Sequence, residues 1–107
     1  MNPRFSLAAL LAGLCFISAT AQAAQKGDAV YAKACAACHA GGIAGAPKFG
    51  DAGAWKARIA TGLPALTKSA LGGKGAMPAR GGHDDLSDDD VKNAVIHMAN
   101  AAGAKFK

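Results

Sequence analysis

Three side chains that can bind metals or form covalent bonds lie within one five-residue stretch, CAACH at residues 35–39. On a helix, Cys35, Cys38 and His39 project from about the same face. Such a set suits covalent haem attachment, zinc binding or dithiol redox exchange. The pattern C-x-x-C-H is typical of haem attachment, because the thiols can add to the two vinyl groups of one ring while the histidine reaches the iron.

Zinc binding and dithiol exchange explain the motif less well. A structural zinc ion takes four protein ligands, and the neighbours Cys38 and His39 cannot easily point at one metal ion. His83 is the only other plausible ligand outside the last predicted helix, so a zinc site would be one ligand short. A thioredoxin-type dithiol normally follows a strand, and the sequence predicts no strand before Cys35.

The N-terminal segment predicts export. It has a positive start at Arg4, an apolar stretch over residues 7–17, and the small-residue pattern A-x-A ending at residue 23. This is the arrangement of a secretory signal peptide, and the apolar run is shorter than the roughly 18 residues that a spanning helix needs. We therefore expect a cleaved signal over residues 1–23, with cleavage one residue later as the alternative. Residues 24–107 would form one periplasmic domain without a stable membrane anchor.

Charge and composition limit the partners of this domain. Without Arg4 it has eleven basic and seven acidic side chains, a formal net charge of +4. This charge is too weak and scattered to indicate nucleic-acid binding, but it suits docking to an acidic partner. Five of the seven acidic residues lie between Asp84 and Asp90, which predicts a charge dipole. Few large apolar residues are present, and a domain this small usually needs an additional stabilising element such as a large cofactor.

Helical patterns account for most of the domain and predict an all-α fold of about four helices. The first is expected over residues 27–38. Asp51 should cap the second, which Gly62 stops, and a short third helix should follow over residues 63–71. The last should begin after the N-cap Ser87 and end at Gly103. Its buried stripe is formed by Val91, Val95 and Met98.

Four ordered segments resemble those of class I c-type cytochromes: GDAVYAKACAACH, GAPKFGD, KGAMPARGG and LSDDDVKNAVIHM. The closest resemblance is to the bacterial cytochrome c5 group, although the second cysteine pair often found there is replaced by GGHDDLSD. The resemblance implies a small class I cytochrome c fold around one covalently bound haem c and its iron. It also implies a soluble, monomeric electron carrier, not an enzyme. Its partners would be donor and acceptor proteins with acidic docking surfaces.

The resemblance also assigns the site residues. Cys35 and Cys38 would attach the haem, and His39 would bind the iron. Met77 is the preferred sixth ligand, because it lies in a glycine-rich loop that can approach a flat ring and because His/Met ligation is the pattern of cytochromes c. Met98, on the buried stripe, is interpreted as a core residue. His83 is the second candidate for the sixth position, with an exposed loop histidine as the alternative.

Further residues should surround this site. The Pro47 carbonyl matches the family acceptor for the other imidazole nitrogen of the axial histidine, with an ordinary turn proline as the alternative. Arg58 resembles an arginine that faces a haem propionate, although a solvated surface arginine fits nearly as well. Trp55 is interpreted as core against the haem edge. Gly27 and Tyr31 match the crossing of the first and last helices, where His97 is expected to pack.

A haem enzyme or gas-binding sensor with an open or labile sixth position is the alternative function. It requires that Met77 be displaced and that acid and base groups lie above the ring. The segment AMPAR offers a ligand but no acid–base pair. Five basic residues flank the expected pocket, where they either steer docking or are simply solvated: Lys48, Lys56, Lys68, Lys74 and Arg80.

Overall fold

The computed structural model describes Gly13 and residues 23–107. The predicted signal segment therefore lies almost entirely outside the described residues. Within the described part, the chain forms four helical segments and two short 3-10 turns, Ile43–Gly45 and Ala79–Gly82, and contains no named strand. The predicted all-α architecture of about four helices is confirmed.

The first helical segment, α1, is continuous over residues 27–39 but is not uniform. It consists of an α-helical turn Gly27–Val30, a π-helical turn Tyr31–Cys35 and a second α-helical turn Ala36–His39. The extent agrees with the prediction to within one residue, whereas the π-helical turn was not predicted. Single π-helical turns inside α-helices occur frequently at functional sites. The whole CAACH motif therefore lies at the C-terminal end of α1.

Two short helices follow. The second, α2, spans Ala52–Ala60 and begins at Asp51, whose carboxylate accepts a hydrogen bond from the Ala54 N–H at 3.2 Å. The third, α3, spans Leu63–Gly72 and is bounded by two glycines with positive φ, Gly62 and Gly73. Both helices confirm the prediction. The N-cap and the glycine stops are local features, so they could be identified without knowing the tertiary structure.

The last helix, α4, spans Asp88–Ala101. The Ser87 hydroxyl accepts a hydrogen bond from the Asp90 N–H at 3.0 Å, and the Asp90 carboxylate accepts one from the Ser87 N–H at 3.0 Å. This reciprocal arrangement is a capping box, which satisfies two backbone donors at the start of the helix. Gly103, with φ of 106°, follows the end of the helix. The predicted stripe of Val91, Val95 and Met98 is buried.

The crossing of α1 and α4 sets the frame of the domain. A Cβ atom on Gly27 would lie 2.2 Å from the Asn93 carbonyl oxygen, so only glycine permits this approach. Beside the crossing, the ring centroids of Tyr31 and Phe49 are 4.7 Å apart, and His97 lies 5.5 Å from Tyr31 and 5.3 Å from Phe49. The predicted packing of Gly27, Tyr31 and His97 is confirmed.

The core consists of two groups of buried side chains. One contains Val30, Ala70, Leu86, Val91, Ala94 and Val95. The other contains Trp55, Met98 and Ala102. Cys35 packs against both groups, so the first cysteine of the motif lies where the two halves of the core meet. No helix in the described part of the chain is both long and apolar enough to span a bilayer.

Candidate haem-binding site

The CAACH motif presents its three reactive side chains to different environments. Cys35 is half-buried between the two core groups, Cys38 is exposed, and His39 is only 7% exposed. Both thiols are free. The Cys35 thiol thus faces the interior and the Cys38 thiol faces solvent. The His39 imidazole is shielded from water.

The environment of Cys35 disfavours zinc binding and dithiol exchange. Burial raises the pKa of the Cys35 thiol to about 11, so this group is a neutral thiol at neutral pH. Reactive dithiols act as thiolates and lie in surroundings that lower the pKa of the thiol. Within residues 23–107, no group of three or more His, Cys, Asp or Glu side chains is placed to hold a metal ion.

His39 is held in one orientation by the loop that follows α1. Its Nδ1 atom lies 2.9 Å from the Pro47 carbonyl oxygen. Because a carbonyl only accepts, Nδ1 must carry a proton, and in the neutral imidazole the lone pair is therefore on Nε2. The backbone carbonyl of His39 in turn accepts a hydrogen bond from the Phe49 N–H at 2.7 Å. The hydrogen bond that the family resemblance implied for Pro47 is present, and it leaves Nε2 able to bind a metal.

Trp55 forms a wall beside this histidine. The indole is 4% exposed and its ring centroid lies 5.9 Å from that of His39. Its Nε1–H donates to the Lys48 carbonyl oxygen at 3.0 Å. With this donor already satisfied by the backbone, Trp55 acts here as a packing residue, in agreement with its interpretation as core.

The Arg58 side chain forms its hydrogen bond within its own helix and not with the CAACH motif. Its side chain is exposed, and Nη1 donates to the Ala54 carbonyl oxygen of its own helix at 2.6 Å. In this position it resembles the surface arginine that the sequence left as the alternative. A role beside a haem propionate stays a prediction.

Met77 lies in a tight hairpin after α3. The Lys74 N–H donates to the Met77 carbonyl and the Met77 N–H donates to the Lys74 carbonyl, both at 3.0 Å. A Cβ atom on Gly73 would lie 2.8 Å from the Met77 carbonyl oxygen, which explains the glycine that precedes the hairpin. The half-buried Met77 side chain lines a small apolar cavity together with Cys35 and Met98.

The other candidate ligands have structural surroundings of their own. Met98 is 3% exposed and packs with Trp55 and Ala102, as expected for a core residue. His83 is half-buried, with Nδ1 4.0 Å from a carboxylate oxygen of Asp85.

Sequence reasoning missed the contacts of Arg80. This residue has φ of 54°, and its guanidinium donates to the Leu86 carbonyl at 2.8 Å and to the Asp88 carboxylate at 2.5 Å. Arg80 was grouped with the lysines that could steer docking. The available signal was the glycine pair after it, since a residue followed by two glycines often lies in an irregular turn.

The residues present fit a covalently attached haem. Two free thiols stand three residues apart, and an imidazole with a fixed tautomer is buried beside them. A half-buried thioether shares an apolar cavity with one of the thiols. Apolar surroundings with a few placed polar groups are what a large aromatic ring requires.

Comparison with known proteins agrees with this reading. Residues 22–98 match the family model described as cytochrome C oxidase, cbb3-type, subunit III. Cytochrome c-555 of Chlorobaculum tepidum is 45% identical over 101 residues, which cover 89% of this chain and 94% of that protein. Cytochrome c5 of Azotobacter vinelandii is 46% identical over 78 residues, covering 71% of this chain and 94% of the relative.

Solved structures show the same likeness. The cytochrome c in a crystal structure of an electron transfer complex with nitrite reductase superposes with a TM-score of 0.70 at 44% identity, covering 76% of this chain and 99% of that one. A mono-haem ferrocytochrome c from Shewanella putrefaciens gives 0.63 at 42% identity, with 72% and 95% covered. The predicted family, fold and haem c cofactor are thereby confirmed. The chain belongs to the small monohaem class I cytochromes c, the family of cytochromes c-555 and c5.

Proposed function

We propose that this protein is an exported, soluble carrier of single electrons, in which Cys35 and Cys38 attach the haem and His39 and Met77 bind its iron. The observation that carries the proposal is the His39–Pro47 hydrogen bond. It fixes an imidazole with a free Nε2 lone pair at the end of the helix that also carries both thiols. The relatives' established role in electron transfer supports the same conclusion.

A bound haem c supplies a one-electron iron couple whose potential depends on axial ligands, burial and hydrogen bonding. The chain's own residues would supply these influences. The Pro47 carbonyl accepts a hydrogen bond from the Nδ1–H group and so raises the basicity of the imidazole. Trp55 and the buried position of His39 exclude water from that side. The two backbone hydrogen bonds between Lys74 and Met77 fix the position from which the Met77 thioether extends.

An enzyme or gas sensor with an open iron is the less favoured function. The described residues that line the cavity beside Met77 include neither a carboxylate nor a histidine. Without such groups, acid–base chemistry on a bound substrate has no protein partner there. Because Met77 is proposed to occupy the sixth position, carbon monoxide should fail to bind the reduced protein. Rapid binding would favour the sensor.

The deciding experiment is the visible absorption spectrum of the exported protein, oxidised and reduced. Sharp c-type bands together with the weak far-red band of sulfur–iron ligation would support the full ligand set. Met77→Ala should abolish the far-red band, whereas Met98→Leu should keep it, because Met98 is a core residue. A far-red band that persists in Met77→Ala would contradict the proposed ligand. Absence of haem would overturn the proposal as a whole.

Export and cleavage after residue 23 form part of the proposal. Residues 23–26 are exposed, and the Gln25 N–H donates to the Asp90 carboxylate at 2.7 Å. Cleavage before Ala24 would preserve this hydrogen bond between Gln25 and α4. The mass of the protein recovered from the periplasm tests the site, and a start upstream of residue 23 would contradict it.

Docking to acidic partners is proposed from the exposed cations Lys48, Lys56, Lys68 and Lys74. Arg80 is better excluded from this set, because its guanidinium is paired with Asp88. Steering by exposed charges weakens as salt rises. With a nitrite reductase as the probe, we expect the bimolecular electron-transfer rate constant to fall steeply with ionic strength. A rate constant independent of salt would contradict steering.

A further inference from the structure

The segment that follows Met77 has an unusual backbone. Arg80, Gly81 and Gly82 have φ values of 54°, 61° and 82°, three consecutive residues in the left-handed region. Glycine adopts this region without steric cost, but arginine does not. Only Ala44 shares this property among the non-glycine residues that the structure describes. The positive φ of Arg80 costs conformational free energy, so another interaction must offset that cost.

The side chain of Arg80 supplies that compensation. Its Nη1 donates to the Leu86 carbonyl at 2.8 Å and its Nη2 to the Asp88 carboxylate at 2.5 Å. Leu86 precedes the N-cap of α4 and Asp88 is the first residue of that helix. The Arg80 side chain is 27% exposed, and its charge-assisted bond to the Leu86 carbonyl is partly shielded from water, whereas the bond to the 70% exposed Asp88 side chain is open to solvent. Arg80 thus ties its own turn to the start of α4.

The neighbouring Gly81 ties the same turn to α1. A Cβ atom at Gly81 would lie 2.3 Å from the Ala34 carbonyl oxygen, so the two backbones are in direct contact. Ala34 is adjacent to Cys35. The turn after Met77 is therefore held between the helix that carries the CAACH motif and the helix that crosses it.

Met77 lies between two fixed points. On its N-terminal side the hairpin with Lys74 joins it to the end of α3, and on its C-terminal side only Pro78 and Ala79 separate it from Arg80. Pro78 has a restricted φ, here −71°, and adds little freedom. Displacement of the Met77 side chain by more than a rotamer change therefore requires that one of these two attachments open.

We infer that Arg80 is a positioning residue for Met77: its bonds to Leu86 and Asp88 hold the loop so that the thioether stays on the iron. The inference rests on the proposed ligation by Met77. It gives a function to an arginine that lines the same cavity as Met77 and whose guanidinium is bonded to Leu86 and Asp88. It also explains why arginine occupies a position whose backbone favours glycine.

The test is the dissociation constant of cyanide for the oxidised holoprotein, since cyanide must displace the sixth ligand. In Arg80→Gly the backbone is relieved but both guanidinium bonds are lost, and we expect cyanide to bind about tenfold more tightly. Arg80→Lys should recover part of the difference. Asp88→Asn, at an exposed carboxylate, should shift the constant in the same direction by a smaller factor without threatening the fold. Asp89→Asn, on the same helical turn and exposed, should leave it unchanged.

Two failures would be distinguishable. If Arg80→Gly and Asp88→Asn lower the melting temperature but bind cyanide as the parent does, Arg80 is only structural and the inference is overturned while the proposed function stands. If Met77→Ala changes neither the far-red band nor the cyanide constant, Met77 is not the ligand, and the proposed ligand set fails together with the inference.

Discussion

His39 Nδ1 and the carbonyl oxygen of Pro47 lie 2.9 Å apart across a loop that otherwise has little regular structure. Proline has a fixed φ, so its ring limits the motion of the peptide that carries the acceptor. Three residues of this loop, Gly42, Ala44 and Gly45, have positive φ. The glycine-rich loop is thus folded so that one of its carbonyl groups accepts a hydrogen bond from the imidazole.

Pro47→Ala keeps the carbonyl but removes the ring constraint. We expect a longer hydrogen bond, a less basic imidazole and a higher reduction potential, because oxidised iron would be less stabilised. The rise should stay below about 60 mV, the value for a tenfold change in a one-electron couple. Potentiometry measures it. Pro64→Ala, at an exposed proline in the first turn of α3, is the matched control and should leave the potential unchanged.

The two cysteines can be tested one at a time. Cys35→Ala or Cys38→Ala should each retain haem through one remaining thioether, and the double variant should lose the cofactor when the protein is denatured. Mass spectrometry under denaturing conditions gives the result directly. Cys15→Ser, within the predicted signal, should carry the full haem mass. Haem released from the parent on denaturation would contradict covalent attachment.

Gly27 is expected to be intolerant of any side chain. Gly27→Ala should lower the free energy of unfolding by about 1–3 kcal/mol, because its Cβ would meet the Asn93 carbonyl and force α1 and α4 apart. Gly72→Ala is the control: beyond its chain neighbours and the backbone of its own helix, no atom lies within 4 Å of its Cβ, and alanine is the better helix former. It should raise the free energy of unfolding by at most about 1 kcal/mol. Urea denaturation of both variants provides the comparison. Equal stabilities would contradict a tight crossing.

Asp90 should contribute to stability in a pH-dependent way. Hydrogen bonds from the backbone of Gln25 and Ser87 lower the pKa of its carboxyl below the ordinary 3.8. The contribution is therefore complete above that ordinary value and is lost as the pH falls through the folded-state pKa. The slope of unfolding free energy against pH in acid should be smaller in Asp90→Asn than in the parent. Asp89→Asn, at an exposed carboxylate, should keep the parent's slope; the same slope in both variants would contradict the role of Asp90.

The helices could be predicted because their boundaries depend on neighbouring residues. Asp51 and Ser87 are N-caps that bond within three residues, and Gly62 and Gly103 stop helices through their own backbone. The spacing of the CAACH motif likewise needed no tertiary information. These features are encoded within a few positions of sequence.

The remaining features depend on contacts between distant segments. The π-helical turn ends at Cys35, which packs against both core groups, and that packing cannot be read from five residues. The positive φ of Arg80 is compensated by groups six and eight residues away. Arg58 had two comparable interpretations, since an exposed arginine can reach either a ligand or its own helix. Only the tertiary structure shows which of these partners the arginine contacts.

The π-helical turn Tyr31–Cys35 also sets a rule for how this sequence can change. Each residue of a helix adds about 100° of rotation, and a π-helical turn holds one residue more than an α-helical turn. Deleting one residue there would leave an ordinary α-helical turn, and His39 would keep its direction relative to Gly27. Deleting a second residue would rotate His39 by about 100° and aim the imidazole away from Pro47. The number of residues between the helix crossing and the haem motif can therefore differ by one at this turn without turning the imidazole away from Pro47.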